Sequence, residues 1–197
     1  MQALVVWADP SPDSFSKQLC DRTASTLRNA GHVVDVVDLY GSGFDPVMGQ
    51  AEWQAYRRHE PALDEITAAH AGLVRNAEIL IFVYPTRWFG LPAILKGWLE
   101  RVFVPGVAFS LNPNSNRIEG RLNSLRFLVG ISTYPNRRWK LALHGDAGRR
   151  TLLRTLRLLC PRSTRSTWFS LHDIERRSTE QRTEFLNRVG LALGRIL

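Results

Sequence analysis

Three short segments hold the side chains that could take part in chemistry. One carries serine hydroxyls at Ser11, Ser14 and Ser16, another has the sequence Pro-Thr-Arg-Trp-Phe-Gly at 85–90, and the third is Ser-Thr-Tyr at 132–134. Serine hydroxyls beside free backbone N–H groups suit a phosphate. Aromatic side chains close to prolines suit a flat ring system pressed against the backbone. These residue types indicate a ligand that has a phosphate and a planar ring.

The serine-rich segment comes just before a helix that we predict at 15–30 from the spacing of its apolar residues. The start of a helix offers free N–H groups and the positive end of the helix dipole, which together bind phosphate. Neither a Gly-rich dinucleotide fingerprint nor a Walker loop is present, so a single terminal phosphate is expected. The same serines could instead only cap the helix. The sequence leaves both interpretations open.

Apolar patterns predict the elements that position these segments. Buried strands are predicted at 2–8, 33–39, 78–84, 125–132 and 163–171. Helices are predicted at 15–30, 52–58, 61–76, 92–103 and 145–160, and a last helix begins at a capping box formed by Ser178 and Gln181. Residues 105–119 and 133–139 are predicted to be loops.

Strands that alternate with helices predict a parallel sheet. We expect one α/β domain over residues 1–197, flavodoxin-like, three-layered and doubly wound, with five parallel strands in the order 2-1-3-4-5. In that order strands 1, 3 and 4 are neighbours, and ligands bind where the strand order reverses, between strands 1 and 3. The three segments follow those strands, so they should meet at one site.

The net charge of +8 is unevenly distributed, because residues 117–177 hold fourteen Arg or Lys and four Asp or Glu. Such a segment indicates an anionic partner, namely a phosphorylated cofactor, an acidic surface or nucleic acid, or else a merely solvated face. Nucleic acid is not expected, since no known nucleic-acid-binding motif accompanies the charge. Cys20 and Cys160 lack metal or redox spacing, so no metal site is expected. No leader or membrane-length apolar run is evident, so we expect a cytoplasmic protein.

Residues 85–102 resemble the signature of the flavodoxin-like NAD(P)H:quinone oxidoreductases. The matching stretch is Pro85-Thr86-Arg87-Trp88-Phe89-Gly90-Leu91-Pro92-Ala93-Ile94-Leu95-Lys96-Gly97-Trp98 with Glu100-Arg101-Val102. Further segments that resemble the family are 14–16, 38–40, 43–47 and 144–146. Departures are Asp9 in place of a histidine, Ser16 in place of an asparagine, and Ser-Thr-Tyr-Pro at 132–135 in place of Thr-Thr-Gly-Gly. The resemblance covers about residues 2–150.

This resemblance implies a bound flavin and a role for each matching residue. The flavin phosphate and ribityl chain would be held by Ser14, Phe15 and Ser16. The isoalloxazine would be lined by Pro85, Thr86, Arg87, Trp88 and Phe89, and at its opposite edge by Ser132, Thr133 and Tyr134. Tyr134 and His144 are the candidate catalytic residues, as proton donors to a quinol oxygen. Tyr134 could instead only pack against the ring edge, and His144 could be a structural residue at a helix start.

The resemblance also implies the overall activity. Hydride would pass from NAD(P)H through the flavin to a quinone or a similar electron-poor acceptor. FMN is expected rather than FAD, because the chain has no evident adenine-binding segment. Family members are commonly homodimers, with the loops at 40–60 and 104–120 as candidate contacts here. The alternative is a flavin-binding ancillary subunit that docks on a membrane transport system through the basic segment.

Overall fold

Seven strands and seven helices make up the part of the chain that the computed structural model describes, which is residues 1–112, 115 and 117–196. The strands are β1 (Gln2–Trp7), β2 (Val33–Asp38), β3 (Ile79–Pro85), β4 (Phe109–Leu111), β5 (Ile118–Gly120), β6 (Phe127–Tyr134) and β7 (Arg165–His172). The helices are α1 (Phe15–Asn29), α2 (Gln50–Arg57), α3 (Glu65–Asn76), α4 (Ala93–Val102), α5 (Arg138–His144), α6 (Ala147–Arg150) and α7 (Thr179–Ile196).

Five of the strands form one parallel sheet in the order β2-β1-β3-β6-β7. The predicted order is confirmed, with β6 and β7 taking the places of the fourth and fifth predicted strands. Trp7 pairs with Val83, and Val83 pairs with Ile131, so β1, β3 and β6 end at nearly the same level. The segments that follow these strands therefore begin along one edge of the sheet.

Apolar side chains cover both faces of the sheet and give three layers. Alternate residues of β1 point to opposite faces, as the two-residue period of a strand requires. On one face, Leu4 and Val6 belong to a core that includes α3, α4 and the segment after α5. On the other face, Val5 and Trp7 pack with α1 and α7. Every residue of β3 from Ile79 to Tyr84 is buried, which explains its unbroken apolar sequence.

Two predicted segments differ from the structure. The predicted loop at 105–119 contains the antiparallel hairpin of β4 and β5, whose three-residue strands are too short to show a periodic pattern. The predicted helix at 145–160 is broken into α6, a π-helical turn at 151–155 and a 3-10 turn at 156–159. It begins late because Gly145 adopts a φ of 81°. The Thr151 hydroxyl donates to the Ala147 carbonyl at 2.9 Å, a bond that bends helices.

Several other boundaries differ by a few residues, and one cap is confirmed. Thr133 and Tyr134 were predicted to lie in a loop, but they continue β6, and α5 begins within the same predicted loop. At the start of α7, the N–H of Gln181 donates to the Ser178 hydroxyl at 3.3 Å, and the N–H of Ser178 donates to the Gln181 side chain at 3.2 Å. The predicted capping box is therefore present.

Arg101 on α4 is a buried charge that connects the helices covering one face of the sheet. It is 6% exposed, and its Nε donates to both carboxylate oxygens of Glu52 on α2 at 2.9 and 3.0 Å. Its other nitrogens bind the carboxylate of Asp64 before α3 and the carbonyl of Asp45. A buried guanidinium with these partners is fully compensated, so Arg101 fixes three separate pieces of chain against α4.

Gly97 on α4 provides a direct test of this packing. A Cβ at Gly97 would lie 2.2 Å from the Pro46 carbonyl oxygen, whereas a Cβ at Gly72 on α3 would have no neighbour within 4 Å. We expect Gly97→Ala to lower the free energy of unfolding by about 2–3 kcal/mol through overpacking. Gly72→Ala, the matched control, should raise it by about 0.5–1 kcal/mol. Urea denaturation measures both, and shifts of the same sign would contradict the packing described.

Stability should also fall in mild acid because of His70. It is buried, and burial lowers its pKa; its Nδ1 accepts a hydrogen bond from Trp98 Nε1 at 3.2 Å. Below the ordinary histidine pKa of about 6.5, the unfolded chain binds a proton that the folded chain excludes. The stabilisation is therefore complete above that pH and is lost as the pH falls below it.

The measurement is the free energy of unfolding at pH 7.5 and 5.5 for the wild type and for His70→Asn. Asparagine keeps an acceptor near the indole but does not titrate in this range. We expect the wild type to lose about 1 kcal/mol more than the variant over this interval. Equal losses in the two proteins would mean that His70 does not contribute to the pH dependence.

Candidate functional site

The first predicted segment forms the start of α1. Ser14 is the N-cap, and its hydroxyl accepts from the Lys17 N–H at 3.2 Å, as the capping interpretation predicted. Ser16 is buried, and its hydroxyl donates to Asp9 Oδ2 at 2.6 Å and accepts from Trp7 Nε1 at 2.9 Å. The N–H of Ser11 donates to the other oxygen of Asp9 at 3.2 Å. The hydroxyl of Ser16 is thus used within the protein.

Backbone groups remain available at this helix start. The N–H groups of Lys17 and Gln18 both donate to the Ser14 carbonyl. Among the described residues, those of Phe15 and Ser16 have no acceptor, as is usual for a first helical turn. An anion would therefore be held by these two N–H groups and the helix dipole, rather than by the Ser16 side chain.

The second segment forms a tight turn at the end of β3 with an unusual backbone. The N–H of Gly90 donates to the Arg87 carbonyl at 2.7 Å, and the N–H of Arg87 donates to the Gly90 carbonyl at 3.2 Å. Between them Trp88 and Phe89 have φ angles of 46° and 57°. Bulky residues rarely adopt this left-handed conformation, which costs about 1–2 kcal/mol per residue. Trp88 is 99% exposed, so none of its packing in this chain offsets that cost.

Hydrogen bonds fix this turn to the two segments beside it. The N–H of Thr86 donates to the Thr133 carbonyl at 2.8 Å, and the hydroxyls of Thr86 and Ser132 lie 2.8 Å apart. The N–H of Ala147, at the start of α6, donates to the Phe89 carbonyl at 3.1 Å. The turn therefore has one position relative to β6 and α6.

His144 lies beside this turn. Its ring centroid is 5.0 Å from that of Phe89, and its side chain is exposed. It is the last residue of α5 rather than a residue at a helix start. The structure thus places the imidazole of His144 next to the aromatic turn.

Tyr134, the last residue of β6, has partners that the sequence analysis did not identify. Its hydroxyl donates to Asp146 Oδ2 at 2.7 Å, and its ring stacks on His172 of β7 with 4.6 Å between centroids. Burial, and then the hydrogen bond to Asp146, raise the pKa of Tyr134 above its ordinary value. Burial lowers the pKa of His172. Asp146 lies in the segment 144–146, whose resemblance to the family was the one feature of the sequence that could have identified it.

The second and third segments enclose a cleft of about 310 Å³. It is lined by Thr86, Arg87, Trp88, Phe89, Tyr134, Pro135 and Asn136. Pro85, Ser132 and Thr133 do not line it, and the last two are buried behind it. Residues 14–16 do not line it either, but the strand before them is next to β3, since the Ala8 N–H donates to the Val83 carbonyl at 3.0 Å.

Within the described residues, no set of three or more His, Cys, Asp or Glu side chains is placed to hold a metal ion. No helix in the same part of the chain has the length and apolar character needed to cross a membrane.

The chain is similar to known proteins in sequence. A family model described as the flavodoxin-like fold matches residues 1–154. The ribosyldihydronicotinamide dehydrogenase (quinone) of Homo sapiens is 32% identical over 148 residues, which are 66% of this chain and 63% of that protein. NAD(P)H dehydrogenase (quinone) 1 of Cavia porcellus is 32% identical over 126 residues, which are 55% of this chain and 45% of that protein.

These curated relatives are longer, since the chain spans less than two thirds of their length. The structure is also similar along its whole length to a solved one. The crystal structure of Smu.1420 from Streptococcus mutans UA159 has a TM-score of 0.86 and 29% identity, with 100% of both chains covered. The resemblance that residues 85–102 predicted is confirmed by these matches.

The strained turn leads to a prediction about Trp88. Because its side chain is exposed, Trp88→Ala should change the free energy of unfolding by less than about 0.5 kcal/mol. Trp88→Gly removes the same ring and also relieves the positive φ, so it should be more stable than Trp88→Ala by about 1 kcal/mol. Thermal and urea denaturation of the two variants measure this difference. A glycine variant no more stable than the alanine variant would show that the backbone at 88 is unstrained.

Proposed function

Because this chain belongs to the flavodoxin-like fold family, we propose that it is an NAD(P)H oxidoreductase that uses a bound flavin to reduce a quinone or a similar electron-poor acceptor. One observation carries the proposal. The left-handed Trp88–Phe89 turn, with Trp88 exposed and Phe89 half-buried, is fixed by hydrogen bonds at the carboxyl edge of the sheet, where such folds bind ligands. Strained backbone of this kind clusters at active sites and ligand-binding sites. The names of the relatives, which are quinone dehydrogenases, support the same activity.

The residues present fit a flavin mononucleotide. Its phosphate would bind the free N–H groups of Phe15 and Ser16 at the start of α1. Its ring would lie in the cleft formed by Thr86–Phe89 and Tyr134–Asn136, with Trp88 and Phe89 supplying aromatic surface. We favour FMN over FAD because no segment of the sequence is recognisable as adenine-binding. NAD(P)H would be the electron donor.

The protein's own contribution is binding, orientation and proton supply. A bound flavin would accept hydride from NAD(P)H and pass it to the acceptor. The fixed turn at 87–90 would hold the donor and then the acceptor at the same face. Tyr134 keeps its proton at neutral pH and donates it to Asp146 in this structure, so to supply a reduced oxygen it would exchange that hydrogen bond for one to the acceptor. His144, exposed beside Phe89, is the second candidate donor.

A homodimer is part of this proposal. Large apolar side chains are exposed in the loop and helix at 40–60, including Tyr40 at 43%, Val47 at 69% and Trp53 at 50%. We propose that these exposed side chains contribute to a protein contact. This surface and the hairpin of β4 and β5 are the candidate interface. Sedimentation equilibrium of the purified chain would show the mass of a dimer.

A second function is favoured by one feature of α5. Trp139 and Leu143 are four residues apart and 62% and 74% exposed, and Arg137, Arg138 and Lys140 lie beside them. Exposed aromatic and basic residues on one helix are typical of docking on an anionic membrane surface. A flavin-binding ancillary subunit of a membrane transport system would use this face. Salt-sensitive co-sedimentation with anionic vesicles would support it, and no binding at low salt would exclude it.

The test of the oxidoreductase proposal is the visible absorbance spectrum of the protein, as purified and after reconstitution with FMN or FAD. We expect a bound flavin that bleaches when NADPH is added anaerobically and recovers when a quinone is added. Trp88→Ala should weaken flavin binding up to about tenfold, as the loss of one aromatic contact. Leu191→Ala, which removes an exposed apolar side chain on α7 that does not line the cleft, should leave it unchanged. A protein that takes up neither flavin would refute the proposal.

A further inference from the structure

A second and larger cavity lies on the other side of Tyr134, between β7 and the segment that runs from α5 to 154. Its volume is about 590 Å³, which is within the range of small-molecule sites. Tyr134 lines both this cavity and the cleft at the aromatic turn. The two spaces are therefore neighbours that share one wall.

Arginine dominates the rim of this cavity. Arg138, Arg149, Arg150 and Arg154 all line it, and we name these four residues the arginine rim. None of their side chains forms an ion pair among the described residues, in contrast to the fully paired Arg101. Among the described residues, Asp146 is the one acidic residue that lines the cavity, and its two oxygens already accept hydrogen bonds from Tyr134 and from the Arg149 N–H. The rim thus has uncompensated positive charge.

The floor of the cavity is aromatic, and its main ring occupies the space left by the glycine at position 130. Trp168 of β7 lies across Gly130 of β6, since a Cβ at Gly130 would be 2.0 Å from Trp168 Cζ3. The edge of Tyr84 meets this indole, with 6.3 Å between ring centroids. The Ser170 side chain lines the same floor beside Trp168. A flat ring can stack on such an indole while hydroxyls bind its polar edge.

We propose that this cavity binds the adenosine end of the reduced nicotinamide donor, with the arginine rim holding its 2′-phosphate, so that the protein uses NADPH in preference to NADH. The inference rests on the proposed function for the identity of the donor. The nicotinamide must reach the cleft at Trp88 and Phe89, and because Tyr134 lines both spaces, the far end of the extended molecule would lie at the neighbouring cavity. A phosphate monoester carries close to two negative charges at neutral pH, and guanidinium groups bind it through paired hydrogen bonds.

The first experiment measures fragment binding directly, without turnover or hydride transfer. Adenosine 2′,5′-bisphosphate, AMP and inorganic phosphate are titrated calorimetrically into the purified protein, with and without flavin. We expect the bisphosphate to bind at least tenfold more tightly than AMP or phosphate, because only it joins the adenine ring to a 2′-phosphate. Equal affinities for the three probes would overturn the proposal, and phosphate binding as tightly as the bisphosphate would indicate a plain anion site.

Charge-matched double variants distinguish binding at the arginine rim from attraction by the overall positive charge of the protein. Arg150→Gln with Arg154→Gln removes two exposed rim arginines, and Arg22→Gln with Arg195→Gln removes two exposed arginines on α1 and α7. The rim variant should weaken bisphosphate binding at least tenfold, and the control by less than twofold. Equal losses in the two variants would mean that net charge alone attracts the ligand.

Steady-state kinetics then links the cavity to the donor. A contact far from the reacting ring stabilises ground state and transition state alike, so its loss raises KM and leaves kcat unchanged. The rim variant should raise the KM for NADPH at least tenfold and leave the KM for NADH within twofold. An equal rise for both donors would overturn the assignment to the 2′-phosphate.

The two proposals fail in distinguishable ways. If the protein binds flavin and turns over but the bisphosphate does not bind, the cavity assignment is wrong and the oxidoreductase proposal stands. If the bisphosphate binds at the rim but no flavin is taken up, the cavity is a nucleotide site and the oxidoreductase proposal is wrong.

Discussion

The candidate site depends on the pairing of β3 with β6, which continues beyond the end of the strands. The Thr86 N–H and hydroxyl bind the Thr133 carbonyl and the Ser132 hydroxyl, so the next residues can only leave the sheet through a sharp turn. That turn presents Trp88 to solvent and gives the Phe89 carbonyl to the start of α6. Through α6 the same constraint fixes Asp146, and through Asp146 it fixes Tyr134. The bonds from Thr86 to Ser132 and Thr133 thus belong to a chain of contacts that holds both walls of the cleft.

Sequence patterns could predict the parts of the fold that depend on local chemistry. The unbroken apolar run of β3 and the reciprocal caps at Ser178 and Gln181 are of this kind, and both are confirmed. The alternation of strands and helices predicts the parallel sheet, and the order 2-1-3-4-5 is the one expected of a flavodoxin-like fold. By contrast, the β4–β5 hairpin has strands too short for a period, and the helix changes to a π-helical turn after α6, where the Thr151 hydroxyl donates to the Ala147 carbonyl. No pattern of apolar residues encodes either feature.

Prediction of the candidate site was limited by long-range contacts. The sequence identified Tyr134 but could not show that its ring stacks on His172, which is 38 positions along the chain and adjacent only because β6 pairs with β7. It also gave Ser16 a role toward a phosphate, although that hydroxyl is used by the buried carboxylate of Asp9. Both facts require knowledge of which side chains meet in three dimensions. The basic composition of 117–177 likewise did not reveal a cavity rim.

The packing of Trp168 over Gly130 has a consequence for how this protein can change over generations. Any side chain at 130 would occupy the space that the indole now fills, and a smaller residue at 168 would leave a hole above a bare strand. Either substitution alone is therefore a loss, whereas a compensating pair can be neutral. Positions 130 and 168 should therefore change together, and lineages that lose the tryptophan at 168 should gain a side chain at 130. The aromatic floor would then disappear in a single coupled step, and the stacking surface that we attribute to it would be lost at the same time.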